Sequence, residues 1–284
     1  MVEEAQEMNK ILITGVMGQL GTALSPLLAA EYELSGFDLD LDVADIDRVI
    51  QKFREIKPDI VVHAAAITNV DYCETHPEDN YRVNAFGAEN VAIASLDARA
   101  VMLYVSTDYV FDGTKKSPYL EFDATNPINH YGRAKLAGEN AVKNLLSRHF
   151  IVRTSWLYGK GGKNFPGAIL SKARETGTLK VVNDQFGAPT YADDLAHCIK
   201  ALIETDYFGT YHTTNAGICT WYDFAVELVK QSGMKDVKVE PISSEEYPSP
   251  AQRPIYSVLE NFCLKNRNIY EFRHYLEGIK DFFR

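Results

Sequence analysis

Three glycines spaced three apart, Gly15-Val-Met-Gly18-Gln-Leu-Gly21, follow the apolar run Lys10-Ile-Leu-Ile-Thr14 and lead into Leu20, Leu24, Leu27 and Leu28 at helical spacing. No other feature of the chain leaves so few folds open. A strand that enters a side-chain-free turn and leaves as a helix puts backbone N–H groups where a pyrophosphate can approach closely. The spacing differs by one residue from the Gly-x-Gly-x-x-Gly dinucleotide fingerprint, and its physical demands are the same. Gly15, Gly18, Gln19, Leu20 and Gly21 are therefore the first candidates for holding a dinucleotide.

The pattern that follows fits this start. Tyr32 to Phe37 reads as a second strand, and Ile46, Val49, Ile50 and Phe53 mark an amphipathic helix closed by Pro58. Asp59 to His63 is an apolar strand of the kind buried on both faces of a parallel sheet. A helix over about 81–96, the strand Val101 to Ser106, a helix over about 128–146 and the strand Phe150 to Arg153 complete the series. This alternation predicts an α/β fold, a Rossmann-type doubly wound parallel sheet, over residues 9–157. Residues 158–284 are more irregular, with the loop Gly159-Lys-Gly-Gly162 and a Pro-, Ser- and Glu-rich stretch from Ser243 to Pro254. They read as a smaller C-terminal α/β domain, mainly for substrate, parts of which are free to return to the Rossmann domain.

Composition excludes several classes. With 46% hydrophobic and 24% charged residues the chain can bury a sizeable core, and its net charge of −10 argues against nucleic acid as a partner. Cys73, Cys198, Cys219 and Cys263 lie far apart and read as thiols in a reducing compartment. Seven histidines show no ligand spacing, so no metal site is expected, and no Gly-x-Ser-x-Gly elbow is present. No apolar run is long enough for a membrane span. Residues 1–8 carry Glu3, Glu4 and Glu7 and read as a polar extension, not a signal peptide, so the expected location is cytoplasmic.

Further cofactor candidates follow the strand ends. Asp38, 17 residues past Gly21, reads either as an acceptor for the adenosine ribose or as a polar turn residue in the acidic run Asp38, Asp40, Asp42. The first reading favours NADH, since no Arg or Lys follows closely. Asp42 and Val43 are placed to flank the adenine. Ala64, Ala65 and Ala66 suit either a cofactor packed against small side chains or tight helix–sheet packing.

Tyr131-Gly-Arg-Ala-Lys135 places a phenol and an ammonium one helical turn apart. Among 16 tyrosines such a pair is expected about once by chance, so its position carries the meaning. It follows, by one loop, the strand ending Ser106-Thr107-Asp108 in a domain already assigned to a dinucleotide. Ketone reduction needs a hydride on carbon and a proton on oxygen. A phenol of pKa about 10 matches neutral pH poorly, and a neighbouring ammonium is expected to lower it. Thr107 is placed to polarise the carbonyl.

These segments together resemble the extended short-chain dehydrogenase/reductase family, from Lys10 almost to the C-terminus. The resemblance is carried by Gly15 to Gly21, Ala64 to Ala66, Ser106 to Gly113, Pro127-x-x-x-Tyr131-Gly-x-x-Lys135 and Arg153 to Gly159. Asp184-Gln185-Phe-Gly187-Ala-Pro189-Thr190 and Arg253-Pro254-x-x-Ser257-x-Leu259 are absent from general members and narrow it to a nucleotide-sugar reductase. It implies a catalytic set of Thr107, Tyr131 and Lys135, with Asp108 and Trp156 bordering the sugar and Gln185 and Arg253 near the substrate. Arg253 suits a diphosphate, its alternative being an exposed loop arginine. The implied reaction is reduction of the C4 ketone of dTDP-4-dehydro-β-L-rhamnose with NADPH, NADH also being accepted. A homodimer is compatible with the family; the glutamate by which some members join a metal at a dimer interface is Ala23 here. Related dehydratases carry Asp-Glu after the Thr, whereas Tyr109 follows Asp108 here, which argues against water elimination. An epimerase and a non-catalytic regulatory subunit are the remaining alternatives.

Overall fold

A computed structural model describes residues 9–284; the polar extension read over residues 1–8 lies outside them. The first unit is β1 (Lys10–Thr14), α1 (Gln19–Leu28), β2 (Glu33–Phe37), α2 (Ile46–Ile56) and β3 (Ile60–His63). Short helices α3 (Val70–Thr75) and α4 (Pro77–Tyr81) lead through a π-helical turn, Arg82–Phe86, into α5 (Gly87–Ala98). Then come β4 (Val101–Thr107), a 3-10 turn over Asp108–Val110, α6 (His130–Leu145) and β5 (His149–Thr154).

The helix expected over 81–96 is thus interrupted, and Asn84 gives the reason. Its side chain accepts the Ile67 N–H at 3.0 Å and donates to the Ile67 carbonyl at 2.9 Å. Its backbone carbonyl receives the Tyr104 hydroxyl at 3.3 Å instead of serving only the helix. A π-turn widens the helix locally and aims Asn84 at the loop after β3. Helix α6 starts at His130 because Asn129 is extended and its side chain accepts the Gly132 N–H, an N-cap.

The later chain holds β6 (Leu157–Tyr158), α7 (Phe165–Thr176), β7 (Thr178–Val182), β8 (Phe186–Gly187), β9 (Thr190–Tyr191) and α8 (Ala192–Ile203). It continues with β10 (Gly209–His212), β11 (Cys219–Thr220), α9 (Trp221–Gln231), β12 (Lys238–Ile242), α10 (Phe262–Asn266) and α11 (Tyr275–Phe282). The main sheet has the order β10-β5-β4-β3-β1-β2, all parallel. Residues beyond 158 therefore supply its last strand, and α8 covers the same face as α1 through Leu195, Ile199 and Leu202. Along β1, Ile11 and Ile13 enter this core while Leu12 enters the core on the opposite face, as the two-residue strand period requires. A smaller core of Ile169, Leu179, Val181, Ala225 and Val229 joins α7 and α9 to the parallel pair β7–β12.

In this order the chain reverses direction across the sheet between β1 and β3. Open α/β sheets bind ligands beyond the strand C-termini at such a switch point. Gly15 and Ala64 stand on either side of it.

Candidate active site

The crevice at the switch point is shaped by missing side chains. Gly15 has a φ of +72°, and a Cβ there would come within 2.8 Å of the Ala65 nitrogen. A Cβ on Gly21 would come within 2.5 Å of the Gly15 and Val16 carbonyl oxygens. Helix α1 has no side-chain N-cap and no acidic residue in its first turn, so its N–H groups face the crevice without a built-in anion. Asn164 caps α7 by accepting the Gly167 N–H, and it also donates to Gln19 Oε1 at 3.0 Å, tying the glycine turn to the C-terminal half.

The crevice opens into one cleft of about 1330 Å³. That exceeds the usual span for one small ligand and leaves room for a dinucleotide and a second nucleotide together. Gly15, Gly18, Gln19, Leu20, Gly21, Ala64 and Ala66 line one end of it. Thr107, Asp108, Tyr131 and Lys135 line the middle; Trp156, Gln185 and Arg253 line the far side. Asp38, Asp42, Val43 and Ala65 lie outside this lining. Asp38 accepts the Met17 N–H at 2.9 Å, behind the glycine turn. Val43 is buried and packs in the core beneath α2 and α5. The expectation that no basic residue stands near Asp38 needs correction. Folding brings Arg48 to the Asp40 carbonyl at 2.9 Å and pairs Arg82 with Asp42, so two guanidinium groups flank the loop after β2.

Thr107 closes β4, and its hydroxyl donates to Asp108 Oδ1 at 3.0 Å while accepting the Tyr109 N–H. Tyr131 and Lys135 project from the first two turns of α6. Lys135 is 3% exposed, and its Nζ sits 4.2 Å from the centre of the Tyr104 ring. Burial lowers the Lys135 pKa to about 7, with the Glu139 charge pulling the other way. Burial raises the Tyr131 phenol above its ordinary value; the Asp108 charge adds to this and nearby Thr107 offsets it in part. The expected lowering of the phenol by Lys135 is thus absent in the protein alone. Burial is the largest influence on both groups, and neither is among the main groups that shift the other. Burial also raises Asp108 to about 7, against the opposing influence of Ser257 and Thr107.

On the far side Trp156 adopts a φ of +47° and stacks on Trp221 with ring centres 3.6 Å apart. A left-handed tryptophan carries strain of about 1–3 kcal/mol, and such strain concentrates at functional sites. A Cβ on Gly187 would come within 2.4 Å of the indole, which explains a glycine after Gln185-Phe186. Gln185 donates to Ser244 at 2.9 Å, while Ser244 is also held by Asp184. Arg253 is an ion-pair member and not a free loop arginine. It pairs with Asp71 at 3.0 Å, and Ser249 donates to the same carboxylate at 2.6 Å.

Sequence reasoning missed Asn164, Lys163, Lys172 and Lys180, which also line the cleft. The Asn164-Phe-Pro166 run carries an N-cap signal, but nothing local reveals its reach to Gln19. Also missed was the buried ion pair behind Lys135. Glu139 accepts two hydrogen bonds from Arg153, each 2.8 Å, and one from Ser106 at 2.7 Å.

The RmlD substrate binding domain family model matches residues 8–284. The chain is 38% identical over 277 residues to the spore coat polysaccharide biosynthesis protein SpsK of Bacillus subtilis, covering 97% of each. It is 40% identical over 275 residues to the dTDP-4-dehydrorhamnose reductase of Escherichia coli, covering 89% of this chain and 92% of that one. A crystal structure of the Bacillus anthracis dTDP-4-dehydrorhamnose reductase in complex with NADP superposes with a TM-score of 0.94 at 43% identity, over 97% of this chain and 98% of the other. The chain belongs to the RmlD substrate binding domain family, within the extended short-chain dehydrogenases/reductases.

Proposed function

We propose that this protein reduces the C4 ketone of dTDP-4-dehydro-β-L-rhamnose to dTDP-β-L-rhamnose, with NADPH as the preferred cofactor and NADH also usable. The observation that carries this reading is that one cleft joins the glycine crevice, the Thr107–Tyr131–Lys135 group and a far wall built from the C-terminal half. The crevice fits a dinucleotide: the cradle excludes Cβ atoms and the α1 N-terminus is uncapped. Arg48 and Arg82 beside the Asp38 loop support the 2′-phosphate form.

When bound, the nicotinamide supplies the hydride. Tyr131 holds the proton that the ketone oxygen needs, and burial keeps that phenol protonated throughout the neutral range. Thr107 steadies the oxygen at the end of β4, and Lys135 supplies positive charge from the next turn of α6. Trp156 and Asp108 border the sugar, Gln185 positions the strap that begins at Ser243, and Arg253 receives the diphosphate. Residues 158–284 supply most of the sugar-nucleotide wall. Four unpaired cysteines support a cytoplasmic location.

Two measurements test this. Oxidation of NADPH on addition of dTDP-4-dehydro-β-L-rhamnose, with dTDP-rhamnose as product, is expected. A folded protein that binds NADPH yet oxidises none of it points to a regulatory subunit instead. Gly21→Ala is expected to weaken NADPH binding by at least about tenfold in a fluorescence titration, because the new methyl must push the turn open. Unchanged affinity overturns the assignment of the crevice.

A further inference from the structure

We infer that Asp108 stores the proton that recharges Tyr131 after each turnover, passing it through the Thr107 hydroxyl; this inference rests on the reductase reading above. Its basis is a buried carboxyl oxygen without a partner. Asp108 is 3% exposed and lines the cleft, and its Oδ2 has no hydrogen-bond partner among the described residues. An ionised carboxylate there has only Thr107 and Ser257 to offset its burial and no donor on Oδ2, so the site favours a proton on that oxygen. Its other oxygen already accepts the Thr107 hydroxyl at 3.0 Å, and Thr107 and Tyr131 line the same cleft, where the hydroxyl favours the phenolate.

The groups that face Asp108 are few. They are Tyr131 from α6, Ser257 from the C-terminal loop and Tyr109 from its own turn, with Arg253 and Asp71 acting on Tyr109. Burial outweighs Ser257 and Thr107 and sets the carboxyl near 7, where it can both hold a proton and exchange it with water at neutral pH. A phenol whose own pKa is raised by burial needs such a donor, because its phenolate is costly to leave standing.

Once the ketone carbon has its hydride, the carbonyl oxygen takes the phenolic proton, so a new O–H bond forms as the Tyr131 O–H breaks. The carboxyl turns its protonated oxygen toward Thr107. The Thr107 proton passes to the phenolate while the Asp108 proton passes to the Thr107 oxygen. Water entering the cleft returns one proton to Asp108, which is the one proton the reduction consumes.

Asp108→Asn keeps the shape and an acceptor for Thr107 but cannot release a carboxyl proton. Rapid mixing of the NADPH-loaded variant with the keto sugar is expected to show a steady state slowed at least about tenfold more than the first turnover, which itself falls by whatever contact Asp108 makes with the sugar. Equal losses in both phases, or none in the steady state, overturn the inference. A readout independent of turnover is the ¹³C signal of the Asp108 carboxyl in labelled protein. Its midpoint is expected near 7, as the buried carboxyl implies, and higher in Ser257→Ala. A midpoint in the ordinary aspartate range overturns the inference. A wild-type chain that never oxidises NADPH defeats the reductase reading itself, whereas the carboxyl titration still reports on Asp108.

Discussion

Tyr131→Phe is expected to lower turnover by about 10²- to 10⁴-fold while NADPH affinity stays within a few-fold of wild type. The substitution removes one oxygen and leaves the ring, which packs edge-on against Tyr109 with centres 6.0 Å apart. The fold therefore loses little, and the glycine crevice is untouched. What is lost is the only acid placed beside Thr107 on α6 that holds its proton across the neutral range. Because burial raises the phenol, activity is not expected to fall through ionisation of Tyr131 at mildly alkaline pH. Any alkaline limb beginning near neutrality then belongs to Asp108 or Lys135, both of which burial brings to about 7. Steady-state NADPH oxidation and a binding titration on the same preparation check the result. Near-normal turnover in Tyr131→Phe means that another group delivers the proton.

How much of this was legible in the chain depends on how far each partner lies along it. The glycine turn is local: strand, turn and helix occupy residues 10–28, and its chemistry follows from which side chains are missing. The Tyr131–Lys135 spacing is also local, and the strand ending at Thr107 lies one loop upstream. Five strands of the parallel sheet follow from alternating periods, whereas the sixth, β10, comes from the half that reads as irregular. By contrast, Arg253 finds Asp71 across 182 residues and Asn164 finds Gln19 across 145, distances over which no spacing rule operates. Arg82 reaches Asp42 across 40 residues, which is why the loop after β2 read as lacking cations. The electrostatics of Tyr131 and Lys135 escape the sequence for another reason. Spacing along a helix gives proximity but not dryness, and burial decides both pKa values. Asn84 illustrates the same limit in the fold, since its bond to Ile67 and not helix propensity breaks the regular turn.

The ion pair beneath the site is the place where one substitution should destabilise the fold most. Arg153→Met is expected to lower the unfolding free energy by about 3–5 kcal/mol, the usual range for stranding one member of a buried pair. Glu139 is fully buried and Arg153 is 3% exposed on its side chain, so solvent cannot replace the lost bidentate contact. Lys143 at 3.0 Å and Ser106 at 2.7 Å are left to hold the carboxylate. In the native protein burial opposes the Glu139 charge, but the Arg153 hydrogen bonds and charge, with Lys143 and Ser106, hold its pKa down at about 2. A carboxylate depressed on folding contributes stability that is complete above its unfolded value of 4.5 and is lost as pH falls toward 2. Without Arg153 the burial effect dominates and the folded pKa moves above the unfolded one. The sign then reverses, so this residue's contribution is least unfavourable in acid and worsens as pH rises. Urea unfolding of both proteins near neutral pH and at about pH 5 should therefore show the deficit of Arg153→Met narrowing in acid. Glu139→Leu added to Arg153→Met should recover much of the loss, because it removes the stranded charge. A deficit equal at both pH values, with no recovery in the double variant, places the loss in the packing of Arg153 on Phe111 (5.2 Å from the ring centre) and not in the ion pair.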